Sequence, residues 1–177
     1  MTQLSARGAI DIIGREGICL EWYYDSVGVP TIGIGETKSD GIDPRQRGKM
    51  TLHEAIDSFK KKIKAYTDPL DALHMEFNQT EYDALASFCY NVGPGNLRTL
   101  CRHRTVGQIG PAIMLYLKPP EIKQRRLGEQ RLFMKGTYTN TDGKVLVFPV
   151  SASHHPDYHH GQMMDIRPFF NLEGAQA

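Results

Sequence analysis

The chain is 177 residues long, 40% hydrophobic and 23% charged, with a formal net charge of +1. That size fits one domain, or one domain of two small lobes, and the balance excludes disordered, collagen-like and low-complexity chains. No apolar run approaches the roughly 18 to 20 residues that span a bilayer, and so small a net charge excludes a whole-molecule basic field for nucleic acid.

The first pattern covers residues 5–15. Ser5 can cap a helix, and Leu4, Ile10, Ile12 and Ile13 fall largely on one side of it. Arg7, Asp11, Arg15 and Glu16 interrupt the apolar positions, so the segment is not read as a signal peptide. Next, ICLEWYYDSVGVPTIGIGET is rich in β-branched and aromatic residues and punctuated by glycine and proline. It predicts a hairpin or three-stranded meander with its turn at 25–30. Residues 39–48 read as a polar loop. Thr51, with Glu54 three residues on, forms a capping box for a helix over 51–66 whose stripe is Leu52, Ala55, Ile56, Phe59 and Ile63. Asp68-Pro69 marks its end or a kink. Asn78 caps a helix that Gly93-Pro94-Gly95 stops, and shorter helical turns follow around 96–101 and 107–117. Pro119-Pro120 opens a last helix, which faces a core with Ile122, Leu127, Leu132 and Phe133 and ends at Gly136. Beyond it, YTNTDGKVLVFPV predicts a hairpin turning at Asp142-Gly143, and the tail is irregular. A helix, a small sheet and then many helices predict an α+β, mostly helical fold.

Residues 101–150 hold nine Lys/Arg against three Asp/Glu; this half either faces an anionic polymer or is a solvated helix face. Cys19, Cys89 and Cys101 cannot all pair and show no metal spacing, so reduced thiols are expected. His154, His155, His159 and His160 beside Asp157 read as a flexible surface loop rather than a metal site.

The segment 16–31 carries the chemistry. Glu16 falls at the end of the first helix, Asp25 in the hairpin turn nine residues on, and Thr31 six residues later. A helix end and a hairpin folded against it can set two carboxyl groups across a cleft, as glycoside hydrolysis requires. Burial against Trp22, Tyr23 or Phe133 would keep one of them protonated. Tyr23 and Trp22 could also stack on sugar rings, and Trp22 could equally be core.

The same residues resemble the phage-type lysozymes, the T4-like and lambdoid endolysins of glycoside hydrolase family 24. In that family a Glu-Gly follows the first helix, an Asp comes nine residues after the Glu, and Thr-Ile-Gly-x-Gly begins six residues after the Asp. Glu16, Asp25 and Thr31 meet every spacing, and Gly33 is the first glycine of the last motif. FNQTEYDALASFCYNVGPGNL and QRRLGEQRLFMKGTY resemble two later helices of the family. The resemblance implies a two-lobed lysozyme domain over residues 1–138. Its N-terminal lobe takes about 16–50, its linking helix about 51–66, and its helical lobe about 67–138 together with helix 4–15. Residues 139–177 form an extension outside the resemblance.

The resemblance further implies hydrolysis of the β-1,4 bond between N-acetylmuramic acid and N-acetylglucosamine in peptidoglycan. Glu16 is then the general acid, Asp25 the carboxylate that positions or activates water, and Thr31 the hydroxyl that holds it. The implied outcome is inverting, which needs carboxyl groups roughly 6.5–9.5 Å apart. Arg125 corresponds to an Arg that reaches back to the catalytic Glu. One departure stands out. The family places His after Thr-Ile-Gly-x-Gly, paired with an Asp on the next helix; here those positions hold Glu36 and Lys62. A swapped ion pair within ~4 Å is expected, without the titration of a His near neutral pH. No cofactor, metal, nucleic acid or membrane insertion is implied. The expected enzyme is a monomer that waits in the host cytoplasm and reaches the wall through a membrane lesion made by a holin, without binding the holin. Two rival readings remain: a lytic transglycosylase-type cleavage, and an inactive peptidoglycan-binding module.

Overall fold

A computed structural model describes residues 2–172. They divide into two compact units: the N-terminal residues to Ile12 with Ile63–Thr141, and Ile13–Lys62 with the residues from Asp142 on.

The first unit is helical. Besides the opening turns of α1 (Ala6–Glu16), it contains α3 (Lys64–Asp71), α4 (Gln79–Cys101), α5 (Val106–Ala112) and α6 (Lys123–Lys135). Ser5 caps α1 as its sequence predicts, its hydroxyl accepting from Gly8 N at 2.9 Å. Asn78 and Glu81 form a capping box on α4, and the helix breaks at Gly93. Leu85, Phe88, Cys89, Leu97, Leu100, Ile109, Ile113 and Leu132 are buried in this unit. So are Arg126 and Glu129 of α6. Arg126 bonds Glu129 and Asn91 and lies 4.9 Å from the Phe88 ring centre. Glu129 also accepts from Ser87 Oγ at 2.9 Å and Arg125 Nε at 3.1 Å. The expected apolar face of α6 is therefore half polar: Leu132 and Phe133 are buried, whereas Leu127 is 38% exposed.

The second unit holds the antiparallel sheet β1 (Cys19–Tyr24), β2 (Pro30–Gly33) and β3 (Glu36–Thr37), in that order. It also holds α2 (Leu52–Lys62). Thr51 and Glu54 cap α2 reciprocally, at 2.7 and 3.2 Å, as a capping box requires. Ala55, Ile56 and Phe59 of α2 are buried, as are Ile18, Ile32, Ile34 and Met50. The mostly helical α+β class with a small three-stranded sheet is what the sequence predicts. Among the described residues no helix is long and apolar enough to cross a membrane.

Two local expectations need correction. The helix expected over 51–66 ends at Lys62, and Pro69 sits inside α3 rather than ending its predecessor. Asp142-Gly143 does not turn a local hairpin. It precedes β4 (Lys144–Val147), whose antiparallel partner is β5 (Gln162–Asp165). The residues before the turn are committed elsewhere: the amides of Thr139 and Asn140 donate to Asp11 Oδ1 at 2.8 and 2.7 Å, which leaves them unavailable to a strand ladder.

Candidate active site

Glu16 is the last residue of α1. Gly17 N still donates to Ile13 O at 2.9 Å, and Gly17 then leaves the helix at φ +72°, a conformation that favours glycine. A β-carbon on Gly17 would also lie 2.7 Å from Phe148 Cε2. The Glu-Gly pair therefore ends the helix abruptly and turns the chain into β1. Glu16 is exposed to solvent, so the burial expected of it against aromatic rings is not present. Trp22 is instead stacked on His154, with ring centres 3.4 Å apart.

The β1–β2 hairpin places Asp25. Its backbone N donates to Val29 O at 3.0 Å, and Gly28 N returns a bond to Asp25 O at 3.0 Å. The carboxylate is fixed by the same turn: Oδ1 accepts from Val27 N at 3.0 Å and Val29 N at 2.8 Å. Thr31 lies opposite Tyr23 in the register and is buried. Directly opposed in the ladder, Tyr23 and Thr31 lie on one face of the sheet, and Asp25 follows at the start of the turn. The Thr31 hydroxyl donates to Val29 O at 3.0 Å, so its remaining capacity is to accept.

Tyr23 ties these groups to Glu16. Burial raises its phenol pKa above the ordinary value, and nearby Cys19, Tyr158, Glu16 and Asp25 push in the same direction. Glu16, Asp25, Thr31 and Tyr23 thus share one unit and one neighbourhood. Gly33, at φ +65°, lets the chain enter the tight turn at Ile34-Gly35; a β-carbon there would sit 3.4 Å from both Glu36 Oε2 and Met50 Sδ.

Glu36 and Lys62 belong to a wider charge network than a two-member pair. Glu36 meets Arg47 at 3.3 Å and accepts from the Ser58 hydroxyl. Lys62 meets Asp40 at 3.0 Å and donates to Gly35 O. Burial raises the Glu36 pKa, while Arg47 and Lys62 lower it and Asp40 raises it. Arg47 and Asp40 had no signal in the sequence, because loop contacts follow no period. Arg125 sits in the helical unit, where it donates to Glu129 at 3.1 Å and to Ser87 O at 3.3 Å.

The segment beyond Asp142, which matches no motif, also reaches this site. Ile18 N donates to Leu146 O at 3.0 Å, and Phe148 N donates to Ile18 O at 2.8 Å. Tyr24 N donates to His154 O at 2.8 Å. These bonds cover the free edge of β1, which would otherwise expose unpaired backbone groups. The four-histidine loop is held by the sheet and by Asp157, whose Oδ2 meets His160 Nδ1 at 2.7 Å.

Comparison with known proteins gives a consistent result. A family model described as Phage lysozyme matches residues 14–114. The endolysin of Salmonella phage P22 is 35% identical over 95 residues, covering 52% of this chain and 65% of its own length. The endolysin of Bacillus phage PZA is 32% identical over 154 residues, covering 78% of this chain and 57% of its own. The chain therefore spans less than two thirds of these curated relatives. A solved endolysin from Escherichia coli O157:H7 phage FAHEc1 superposes with a TM-score of 0.71 at 28% identity, covering 78% of this chain and 98% of that one.

Proposed function

The chain belongs to the phage lysozyme family, and we propose that it is an endolysin with muramidase activity. It hydrolyses the β-1,4 bond between N-acetylmuramic acid and N-acetylglucosamine in peptidoglycan, with inversion. The observation that supports this reading is that Glu16 ends α1 and Asp25 is fixed in the β1–β2 turn of the same compact unit, beside a Thr31 hydroxyl whose proton is already given to Val29.

Those hydrogen bonds set the order of events. Asp25 Oδ1 is occupied by two turn amides, which leaves Oδ2 to face a water. Thr31 can only accept from that water. A water giving one hydrogen to each group aims its lone pair away from both, at the anomeric carbon. As it attacks, the C1–O4 bond breaks and Glu16 passes its proton to the departing O4. Asp25 takes the proton of the water. Glu16 is exposed in the free protein, so the desolvation that a general acid needs comes with the bound glycan. The Glu36 and Lys62 network braces the sheet beneath the site. The enzyme works as a monomer on glycan strands of the cell wall, and it depends on a holin-made lesion rather than on contact with a holin.

Turbidity loss of purified sacculi tests this directly. Glu16→Gln is nearly isosteric and cannot donate the proton, so activity should fall more than ~100-fold with an unchanged melting profile. Products should carry reducing ends; 1,6-anhydro ends would mean a transglycosylase. Retention of a tenth of wild-type activity would remove Glu16 from its role.

A further inference from the structure

Tyr158 is exposed at 69%, more than any phenylalanine of the segment beyond Asp142, and nothing in the mechanism uses it. A large, open aromatic ring costs hydration free energy unless something covers it. This ring is also held firmly. Its edge-to-face partner is Phe148, with ring centres 5.1 Å apart and planes at 70°. Phe148 in turn lies between two glycines: a β-carbon on Gly17 would approach it to 2.7 Å, and one on Gly161 to 2.8 Å. Gly17 follows Glu16 directly. The chain of contact from the carboxyl residue to the exposed ring is thus Glu16, Gly17, Phe148, Tyr158, all within one unit.

The loop that carries Tyr158 is pinned on both sides. Asp157 N donates to Pro149 O at 2.8 Å, His159 N donates to Asp157 Oδ1 at 3.0 Å, and Val150 bridges Pro156. Little side-chain or loop freedom remains to be lost when a ligand covers the ring. Cys19 and Tyr158 both add to the raised phenol pKa of half-buried Tyr23, and Cys19 adds to that of Tyr158, in line with the contact chain through Phe148.

We infer that Tyr158 forms an additional saccharide subsite of the active site, its ring stacking on the apolar C–H face of a β-1,4-linked N-acetylhexosamine next to the pair cleaved at Glu16. The inference rests on the muramidase reading. A pyranose presents axial hydrogens on one face and hydroxyls at its rim, so an aromatic face covers the first without desolvating the second. The segment after Asp142 therefore contributes to substrate binding as well as covering the sheet edge.

The test separates the two claims. Binding of chitohexaose is measured by calorimetry in a Glu16→Gln background, and steady-state cleavage of sacculi in the otherwise native chain. Tyr158→Ala should weaken Kd and raise KM about fivefold to tenfold, with the loss in kcat/KM carried by KM. Tyr158→Phe should stay within twofold, because the ring face is kept. Tyr158→Leu, which keeps apolar bulk without a ring, should behave as Tyr158→Ala and guards against a folding defect specific to alanine. If the native chain cleaves sacculi but Tyr158→Ala and Tyr158→Leu leave Kd and KM unchanged, the subsite is overturned and the hydrolase stands. If the native chain neither binds nor cleaves, both fall.

Discussion

At the residue scale, the site works by limiting what each oxygen can do. Thr31 Oγ1 spends its one proton on Val29 O, and Asp25 Oδ1 is filled by turn amides. Thr31→Val keeps the buried shape and removes the acceptor that orients water in the proposed mechanism. Val29 O keeps its other donor, Asp25 N at 3.0 Å, so the hairpin should hold. One hydrogen bond is worth about 1–3 kcal/mol when its loss leaves a partner unpaired, so kcat should drop roughly tenfold to a hundredfold. KM and the melting temperature should move little, and Thr31→Ser should recover part of the rate. Equal activity for Thr31→Val would show that the hydroxyl does not hold the water. That Glu16 ends a helix and that Asp25 and Thr31 belong to one hairpin is legible in the sequence, because the three lie within sixteen positions and follow local helix and turn signals. Arg47 beside Glu36 is not, since an irregular loop carries no period. Nor is Tyr158, whose link to Glu16 spans more than 140 positions.

At the element scale, β3 begins with Glu36, whose carboxyl is buried under Arg47 and Ser58. Burial raises its pKa above the ordinary glutamate value of 4.5, even though Arg47 and Lys62 pull it down. The folded chain therefore holds this proton more firmly than the unfolded chain. The stabilisation is complete below 4.5 and is lost as pH rises through the higher folded value. Glu36→Gln is neutral at every pH. Its melting temperature relative to wild type should improve as pH rises from about 4.5 and level off once Glu36 is ionised. A constant difference across that range would contradict the raised pKa. Local signals suffice for the capping boxes at Thr51 and Asn78 and for the three-stranded meander. Two others carry no local signal, for a physical reason. The partner of β4 is a strand some fifteen residues away rather than a neighbour across Asp142-Gly143. The inner face of α6 is polar because Arg126 and Glu129 satisfy each other inside the core, which a hydrophobic stripe cannot reveal.

At the scale of the whole molecule, each compact unit carries buried thiol. Cys19 is in the unit with the sheet; Cys89 and Cys101 are in the helical unit. Burial pushes Cys19 and Cys89 up to about 12 and Cys101 up to about 11. Only the thiolate attacks disulfides and alkylating reagents, so the native chain should be inert to them at neutral pH. Reaction then requires opening of the structure around the sulfur. The three cysteines become seals that break only where the fold has opened. Labelling in rising urea, mapped by mass spectrometry, should leave all three intact without denaturant. Cys89 and Cys101, which share α4, should be marked over one common transition, with Cys19 reporting separately on the sheet. Rapid marking of any of the three in the folded chain would mean that its seal is already broken. The chain thus contains its own record of which half gives way first.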